Sequence, residues 1–396
     1  MKGNQSRRLF STYNSLIASL RISRSKKLKE LWVRCAVLAV AIVFLVPIMR
    51  HLTPYKTQLS SQTSAPSTES SVAVPSCSPT VDMYRVGSCK PFASLQQDCA
   101  SSPGDAFARM LAEAAEALKG EKPREVKRAN GVTVNNVHLP GSVWVLLGEE
   151  LFVFPTCEVG STFDVPLPSV NKVAKAKVRS VSPRVVEVED FLTPEECEKL
   201  ISTAKPLMSR STVSAEGDSA ISLQESSRTS STAWLPPHTH TLAQELYDRV
   251  SSLVGIDFRK HSHVVVEDLQ VLRYEVNQHY HIHHDYFDPT LHRGFLQGDG
   301  RNRFITAFFY LTDVERGGET CFPMTDDPRP ITDYSDCTRG LRVPPKRGKA
   351  VIFYSLLADG QRNGGLDVAS WHGGCDVHNG TKWAANYWIT LKGVHP

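Results

Sequence analysis

The segment 278–289 reads QHYHIHHDYFDP and crowds imidazoles and carboxylates into one short run. Within it, His283 and Asp285 stand two residues apart. On a strand, residues i and i+2 project to the same face, so this imidazole and this carboxylate can share one metal ion. His372, much further along in SWHGGC, offers a second imidazole. Two His and one carboxylate on one face of an octahedral iron(II) centre leave the opposite face open, which admits a chelating cosubstrate and O2. His-x-Asp alone is a weak signal, because 14 His and 41 acidic residues bring such pairs together by chance. A solvated polar strand would read the same way. Lys382 adds weight, since it follows His372 by ten residues on a run that reads as a strand. Its ammonium is a point charge suited to the far carboxylate of a keto acid.

The frame that must hold these residues is rich in strands. Beyond Val185 the runs VEDLQVLRYEV, RFITAFFYLT, KAVIFYSL and KWAANYWITL are separated by breaks of Gly, Pro and Asp. Ahead of them, VVEVEDFLTPEECEKLISTA places a strand before a helix, with Thr193 as cap and Pro194 at the first helical position. A second helical stretch covers Leu242 to Val254. Strands at this density predict a mainly β fold with flanking helices, a sandwich or jelly roll. Residues 104–120 read as an amphipathic helix ending at Gly120. VWVLL at 143–147 and LFVF at 151–154 read as short β runs. Residues 81–184 suggest no function of their own.

Composition is that of a globular protein, and a net charge of +4 is too small to imply a nucleic-acid partner. Residues 1–34 carry nine Lys or Arg against one acid, Glu30, so the remainder offers no basic face to phosphates. That local charge flanks Leu31 to Met49, an apolar run about long enough to cross a bilayer core, with Arg34 its only charge. A basic N-terminal flank predicts that this end stays cytoplasmic and the rest crosses. The flank is longer than a cleaved signal usually carries. The expected order is a basic cytoplasmic tail at 1–30, a transmembrane signal-anchor at 31–49 and a Ser/Thr/Pro-rich stem at 50–80. A luminal segment at 81–184 and a catalytic domain at 185–393 follow. This describes a single-pass type II protein of the endoplasmic reticulum or Golgi membrane. Of nine cysteines, eight lie beyond the anchor, a number that permits disulfides in an oxidising lumen. Asn379-Gly380-Thr381 is a glycosylation sequon usable there.

Residues from about 185 to 393 resemble the prolyl 4-hydroxylase catalytic domain. The segments that carry the resemblance are FLTPEECEKLI, SRTSSTAWL, LQVLRYEVNQHYHIHHDYFDP, NRFITAFFYLTDVERGGETCFP, LRVPPKRGKAVIFYS and WHGGCDVHNGTKWAANYWI. It implies a double-stranded β-helix (jelly roll) that hydroxylates peptidyl proline with O2 and 2-oxoglutarate. His283, Asp285 and His372 would then be the ligands of Fe(2+), and Lys382 the 2-oxoglutarate anchor. Tyr274, Thr320 and Trp388 fall where the family lines the cosubstrate pocket. Arg228, Ser230, Glu267 and Arg303 fall where it contacts a proline-containing peptide or secreted protein. L-ascorbate is the expected reductant of over-oxidised iron. Cys197, Cys337 and Cys375 sit where relatives carry structural cysteines, and a Cys197–Cys375 bridge is the pairing expected; Cys321 is expected in the core. Two departures stand out. Asn277 replaces a common Gly, and Thr390 stands where relatives often have His, which bears on peptide preference rather than on chemistry. Two other functions share these features: a dioxygenase of another side chain such as lysine, and a non-catalytic peptide-binding module. Retention of His283, Asp285, His372 and Lys382 together speaks against the second. No partner subunit is indicated.

Overall fold

The computed structural model describes residues 77–135, 139–212, 227–288, 300–357 and 365–393. The expected cytoplasmic tail and anchor, and most of the stem, lie outside the described residues. Among the described residues no helix is long and apolar enough to cross a membrane.

The described chain opens with strands β1 (Thr80–Arg85), β2 (Pro91–Gln96), β3 (Glu125–Lys127) and β4 (Ser142–Leu146), in the order β2-β1-β4-β3. Helix α1 (Pro103–Ala117) is capped by Ser102 and starts on Pro103, which fills a position that needs no amide donor. Its stripe Ala106, Met110 and Ala114 is buried, and Met110 and Ala114 share a core with Val81, Met83, Val143 and Val145 of β1 and β4. Disulfides Cys77–Cys99 and Cys89–Cys157 fasten this module. The run 151–154, read from sequence as a short β run, forms no strand and joins no sheet, although it is buried. The amide of Phe154 instead donates to the Tyr354 hydroxyl at 3.2 Å, so the run serves as core between module and main sheet.

The strands that follow are β5 (Thr162–Leu167), β6 (Lys172–Ser180), β7 (Val185–Val188), β8 (Ser209–Arg210), β9 (Ser231–Leu235), β10 (Val264–Val266) and β11 (Leu269–Tyr274). Then come β12 (Tyr280–His283), β13 (Asn302–Tyr310), β14 (Arg316–Gly317), β15 (Thr320–Phe322) and β16 (Leu341–Val343). The last are β17 (Ala350–Tyr354), β18 (His372–Gly374), β19 (Val377–Asn379) and β20 (Lys382–Leu391). A ten-stranded sheet runs β5-β6-β7-β17-β13-β20-β11-β9-β8, with β10 beside β20, and a smaller one runs β12-β18-β15-β16. The large sheet thus reaches back past residue 185, because β5 and β6 extend its edge. The fold is mainly β with few helices.

Period-two alternation in the centre of that sheet separates two buried faces. Trp383, Ala385, Tyr387 and Ile389 of β20, with Ile305, Ala307 and Phe309 of β13, join one apolar core. Helices α2 (Pro194–Ala204) and α3 (Thr241–Leu253) cover it with Cys197, Leu200, Leu242, Leu246 and Val250. The capping box of α2 forms as the sequence predicts, Thr193 with Glu196. Glu196 also takes a two-pronged bond from the buried Arg249 of α3, at 2.9 and 2.5 Å, which fixes the two helices to each other. The opposite face of the same strands carries Lys382, Asn386 and Trp388 of β20, Thr306 and Tyr310 of β13, and Gln270 and Tyr274 of β11, all buried. Polar side chains inside a sheet need partners or a purpose. This is the face that looks onto the site.

One disulfide differs from expectation. Cys375, just past β18, pairs with Cys337 in the loop before β16, and Cys197 is a free buried thiol. Cys197 points from α2 into the helix-side core, on the far face of the large sheet from β18, so it shares no space with Cys375. Burial pushes its thiol up to about 11, as suits an inert core residue.

Candidate active site

The small sheet brings its two histidines together by register. β12 and β18 are antiparallel, and His283 stands opposite His372. Close approach of these strands favours a glycine at 373, where a Cβ would sit 3.1 Å from the Tyr280 carbonyl oxygen and 3.2 Å from the Ile282 nitrogen. β12 ends at His283, so Asp285 lies in the turn after it rather than on the strand. Even so, its carboxylate enters the same space. Oδ1 lies 3.7 Å from His283 Nε2, and Oδ2 lies 3.6 Å from His372 Nε2. One ligand atom from each residue lies within 4.8 Å of the other two, close enough to hold one ion.

The backbone fixes which nitrogen of each ring faces the centre. His283 Nδ1–H donates to the His281 carbonyl at 2.8 Å, and His372 Nδ1–H donates to the Ser370 carbonyl at 3.0 Å. A carbonyl can only accept, so both rings carry their proton on Nδ1 and present the Nε2 lone pair. Burial, then the neighbouring His372, holds the His283 imidazole well below its ordinary range, which favours the neutral ligating form. Burial alone would raise Asp285; His372 and His283, with Arg303 and a bond from Thr306, outweigh it and keep the carboxyl low. Two neutral imidazoles and one anionic carboxylate form a nitrogen and oxygen set that fits Fe(2+).

Lys382 opens β20 and is 1% exposed, yet among the described residues it forms no ion pair with a carboxylate. Its ammonium is flanked by the rings of Tyr274, Phe308 and Tyr310 at 5.2, 5.5 and 5.5 Å. Burial lowers it to about 8. Thr320 lies on β15, and its oxygen accepts from the Tyr310 hydroxyl at 2.7 Å. Two further buried donors on β20, Asn386 Nδ2 and Trp388 Nε1, lack protein partners among the described residues and belong to residues that line the same cavity. A buried cation without an anion and two donors without acceptors fit a dicarboxylate. Tyr310, Thr306 and Asn386 are absent from the sequence-derived set. All three belong to the buried polar face of β13 and β20, and that polarity was their only signal.

The inner cavity opens into a groove of about 540 Å3. Arg228, Arg303, Tyr280, Trp234, Trp371 and Trp388 line it. Arg303 is held at 2.8 and 2.9 Å by both oxygens of Glu267, and its guanidinium lies 3.4 Å from the Trp388 ring centre. Arg228 donates to the Thr212 carbonyl at 3.0 Å and covers Tyr280 at 4.4 Å. Ser230 sits elsewhere than the groove. It is fully buried, bonded to Ser211 at 2.9 Å and to the Tyr274 hydroxyl, so it braces the cavity wall from behind. Asn379 is exposed on β19, beside Glu315. Asn277 has φ +64°, the left-handed conformation in which Asn substitutes for Gly most readily.

Residues 269–390 match the family described as the 2OG-Fe(II) oxygenase superfamily. The chain is 38% identical over 237 residues to prolyl 4-hydroxylase 1 of Arabidopsis thaliana, covering 58% of this chain and 76% of that protein. It is 36% identical over 241 residues to prolyl 4-hydroxylase 2 of the same organism, covering 59% of this chain and 74% of that protein. A solved structure of the viral collagen prolyl hydroxylase of Paramecium Bursaria Chlorella virus-1 aligns at 24% identity. It covers 52% of this chain and 96% of that one, at a TM-score of 0.37.

Proposed function

This chain belongs to the prolyl 4-hydroxylase family of iron(II)- and 2-oxoglutarate-dependent dioxygenases, and on that premise we propose that it hydroxylates proline in peptides. The reaction consumes O2 and 2-oxoglutarate and yields 4-hydroxyproline, succinate and CO2. The observation that carries the reading is Lys382, a buried cation without an acid partner among the described residues, in the cavity that also holds the triad.

In this reading His283, Asp285 and His372 would hold Fe(2+), which would activate O2, the oxidant of the reaction. Lys382 binds the far carboxylate of 2-oxoglutarate, and Thr320, oriented by Tyr310, donates or accepts beside it. Tyr274 and Trp388 wall the cosubstrate space, the first held by Ser230 and the second against Arg303. Arg228 and Arg303, the latter held by Glu267, orient the peptide over the triad, and the aromatic rings of the groove give a proline ring apolar faces to rest on. Seating the substrate there excludes water from the reacting atoms. We read the two sheets as a double-stranded β-helix. L-ascorbate would serve as the reductant that restores Fe(2+).

We further propose that the catalytic part works in the secretory lumen behind an uncleaved anchor at 31–49, with Asn379 available for glycosylation. The basic flank and the disulfides Cys77–Cys99, Cys89–Cys157 and Cys337–Cys375 support that placement. The test of function is to incubate the full chain with Fe(2+), 2-oxoglutarate and ascorbate and with poly-proline, Gly-Pro-repeat or Ser-Pro-repeat peptides. Mass spectrometry should find one added oxygen on proline. Oxidation confined to lysine or another residue would overturn the proposed substrate.

A further inference from the structure

Asp285 offers both of its oxygens to the centre, one toward each imidazole. Such a carboxylate can meet a metal ion in two ways. Through one oxygen it takes one coordination position; through both it takes two. The difference decides what else can bind. With two imidazoles on an octahedral ion, a one-oxygen carboxylate leaves three positions open, and a two-oxygen carboxylate leaves two. A keto acid chelating through two oxygens, together with O2, needs three. Some group of the protein has to settle the choice.

Thr306 is built into the place where that can be done. β13 pairs it with Phe353 of β17 on one side and Trp388 of β20 on the other, so its backbone is fixed in the centre of the large sheet. Its side chain is buried, and its hydroxyl donates to Asp285 Oδ2 at 2.5 Å. An ionised carboxylate can only accept, so the direction of this bond is unambiguous. It is charge-assisted and lies in the short range for such pairs. β-branching restricts the rotamers of Thr306, so the hydroxyl is held in place. Among the described residues no other hydrogen bond reaches the Asp285 carboxylate through a side chain.

The geometry points to Thr306 as a positioning residue that engages Oδ2 and leaves Oδ1 as the single oxygen Asp285 presents to the metal. The third open position is thereby kept for O2. This rests on the iron and 2-oxoglutarate reading above and adds a residue to it. Thr306→Val keeps the shape and the branching and removes the hydroxyl; Thr306→Ser keeps the hydroxyl.

The test uses the full chain without oxygen. Fe(2+) affinity is measured by competition with a chromogenic chelator, and 2-oxoglutarate affinity by the visible charge-transfer absorption of the iron and keto-acid complex. Thr306→Val should hold Fe(2+) as tightly as the unaltered chain, or more tightly, because a second oxygen can now join. Nitric oxide, an O2 surrogate read by its spin signal on the iron and keto-acid complex, should bind about ten- to a hundredfold more weakly, the worth of one hydrogen bond to a charged group, because the second oxygen of Asp285 now competes for the third position. Thr306→Ser should restore that affinity. An unchanged nitric oxide affinity in Thr306→Val overturns the proposal. So does a parallel loss of iron and keto acid, which would make Thr306 a brace for the whole triad. Failure of the unaltered chain to develop the absorption would instead sink the cosubstrate reading itself.

Discussion

Replacing Lys382 with Met should stabilise the empty protein while depriving it of its cosubstrate. Met matches the length of the Lys stem and carries no charge. In the folded chain the ammonium is buried among Tyr274, Phe308 and Tyr310, and its pKa drops from 10.5 to about 8. At roughly 1.4 kcal/mol for each tenfold change in a proton equilibrium, the buried charge costs the fold about 3 kcal/mol at neutral pH. The sign follows from linkage. The folded pKa lies below the unfolded one, so the cost is full below pH about 8 and fades as pH rises toward 10.5, where the unfolded lysine also loses its proton. Thermal unfolding of both chains at several pH values measures this. Lys382→Met should melt several degrees higher at pH 7, and the difference should close by pH 10 to 11, where ~10.4 is the ordinary lysine value. With Fe(2+) present throughout, added 2-oxoglutarate should raise the melting point of the unaltered chain more than that of Lys382→Met. Equal or lower stability of Lys382→Met at pH 7, or a gap indifferent to pH, would refute the reasoning.

The same titration governs turnover. The rate at low 2-oxoglutarate concentration (kcat/KM) reports the free enzyme, so it should fall above pH 8 and be about tenfold lower at pH 9 from loss of the Lys382 proton alone. A flat profile from pH 7 to 9 would contradict the anchor role. Glu267→Gln should weaken the hold on Arg303 beside Trp388 and raise the peptide KM about tenfold, as expected for a lost charge-assisted bond, with little change for 2-oxoglutarate. Asn386→Leu fills the space of a buried donor without a partner. It should leave Fe(2+) binding intact and weaken 2-oxoglutarate several-fold, by about the worth of one hydrogen bond, read by a binding titration. Alkylation mapping of Cys197→Ala should find Cys337 and Cys375 still bridged, whereas Cys337→Ser should release Cys375 as a thiol.

The metal set was legible in the sequence because a His-x-Asp pair, a later His and Lys382 ten residues beyond it stand together within the family motifs, although the local geometry was different from the one assumed. Asp285 reaches the centre from a turn beyond β12, not from the strand itself. Two-faced burial hid the rest. In RFITAFFYLT and KWAANYWITL both faces are buried, so alternation gives two sets of side chains without saying which one looks at the site. Thr306, Tyr310 and Asn386 are found only when the sheet is seen. Ser230 shows the converse, a residue in a family motif that the fold places behind the cavity wall. The disulfide was beyond reach for another reason. Pairing depends on which loops meet in space, and the loop carrying Cys337 meets the end of β18 while α2 lies on the opposite face. The edge strands β5 and β6 escaped because Lys-rich alternation in KVAKAKVRS marks a strand without naming its sheet.

The most direct test of the central claim is the coupling of succinate to hydroxyproline in the unaltered chain and in His372→Ala. With Fe(2+), 2-oxoglutarate, O2 and a proline-repeat peptide, the unaltered chain should form succinate and hydroxyproline in equal amounts. His372→Ala, folded by its circular dichroism, should form neither. Full succinate formation by His372→Ala would contradict the assignment of His283, Asp285 and His372 as the iron site.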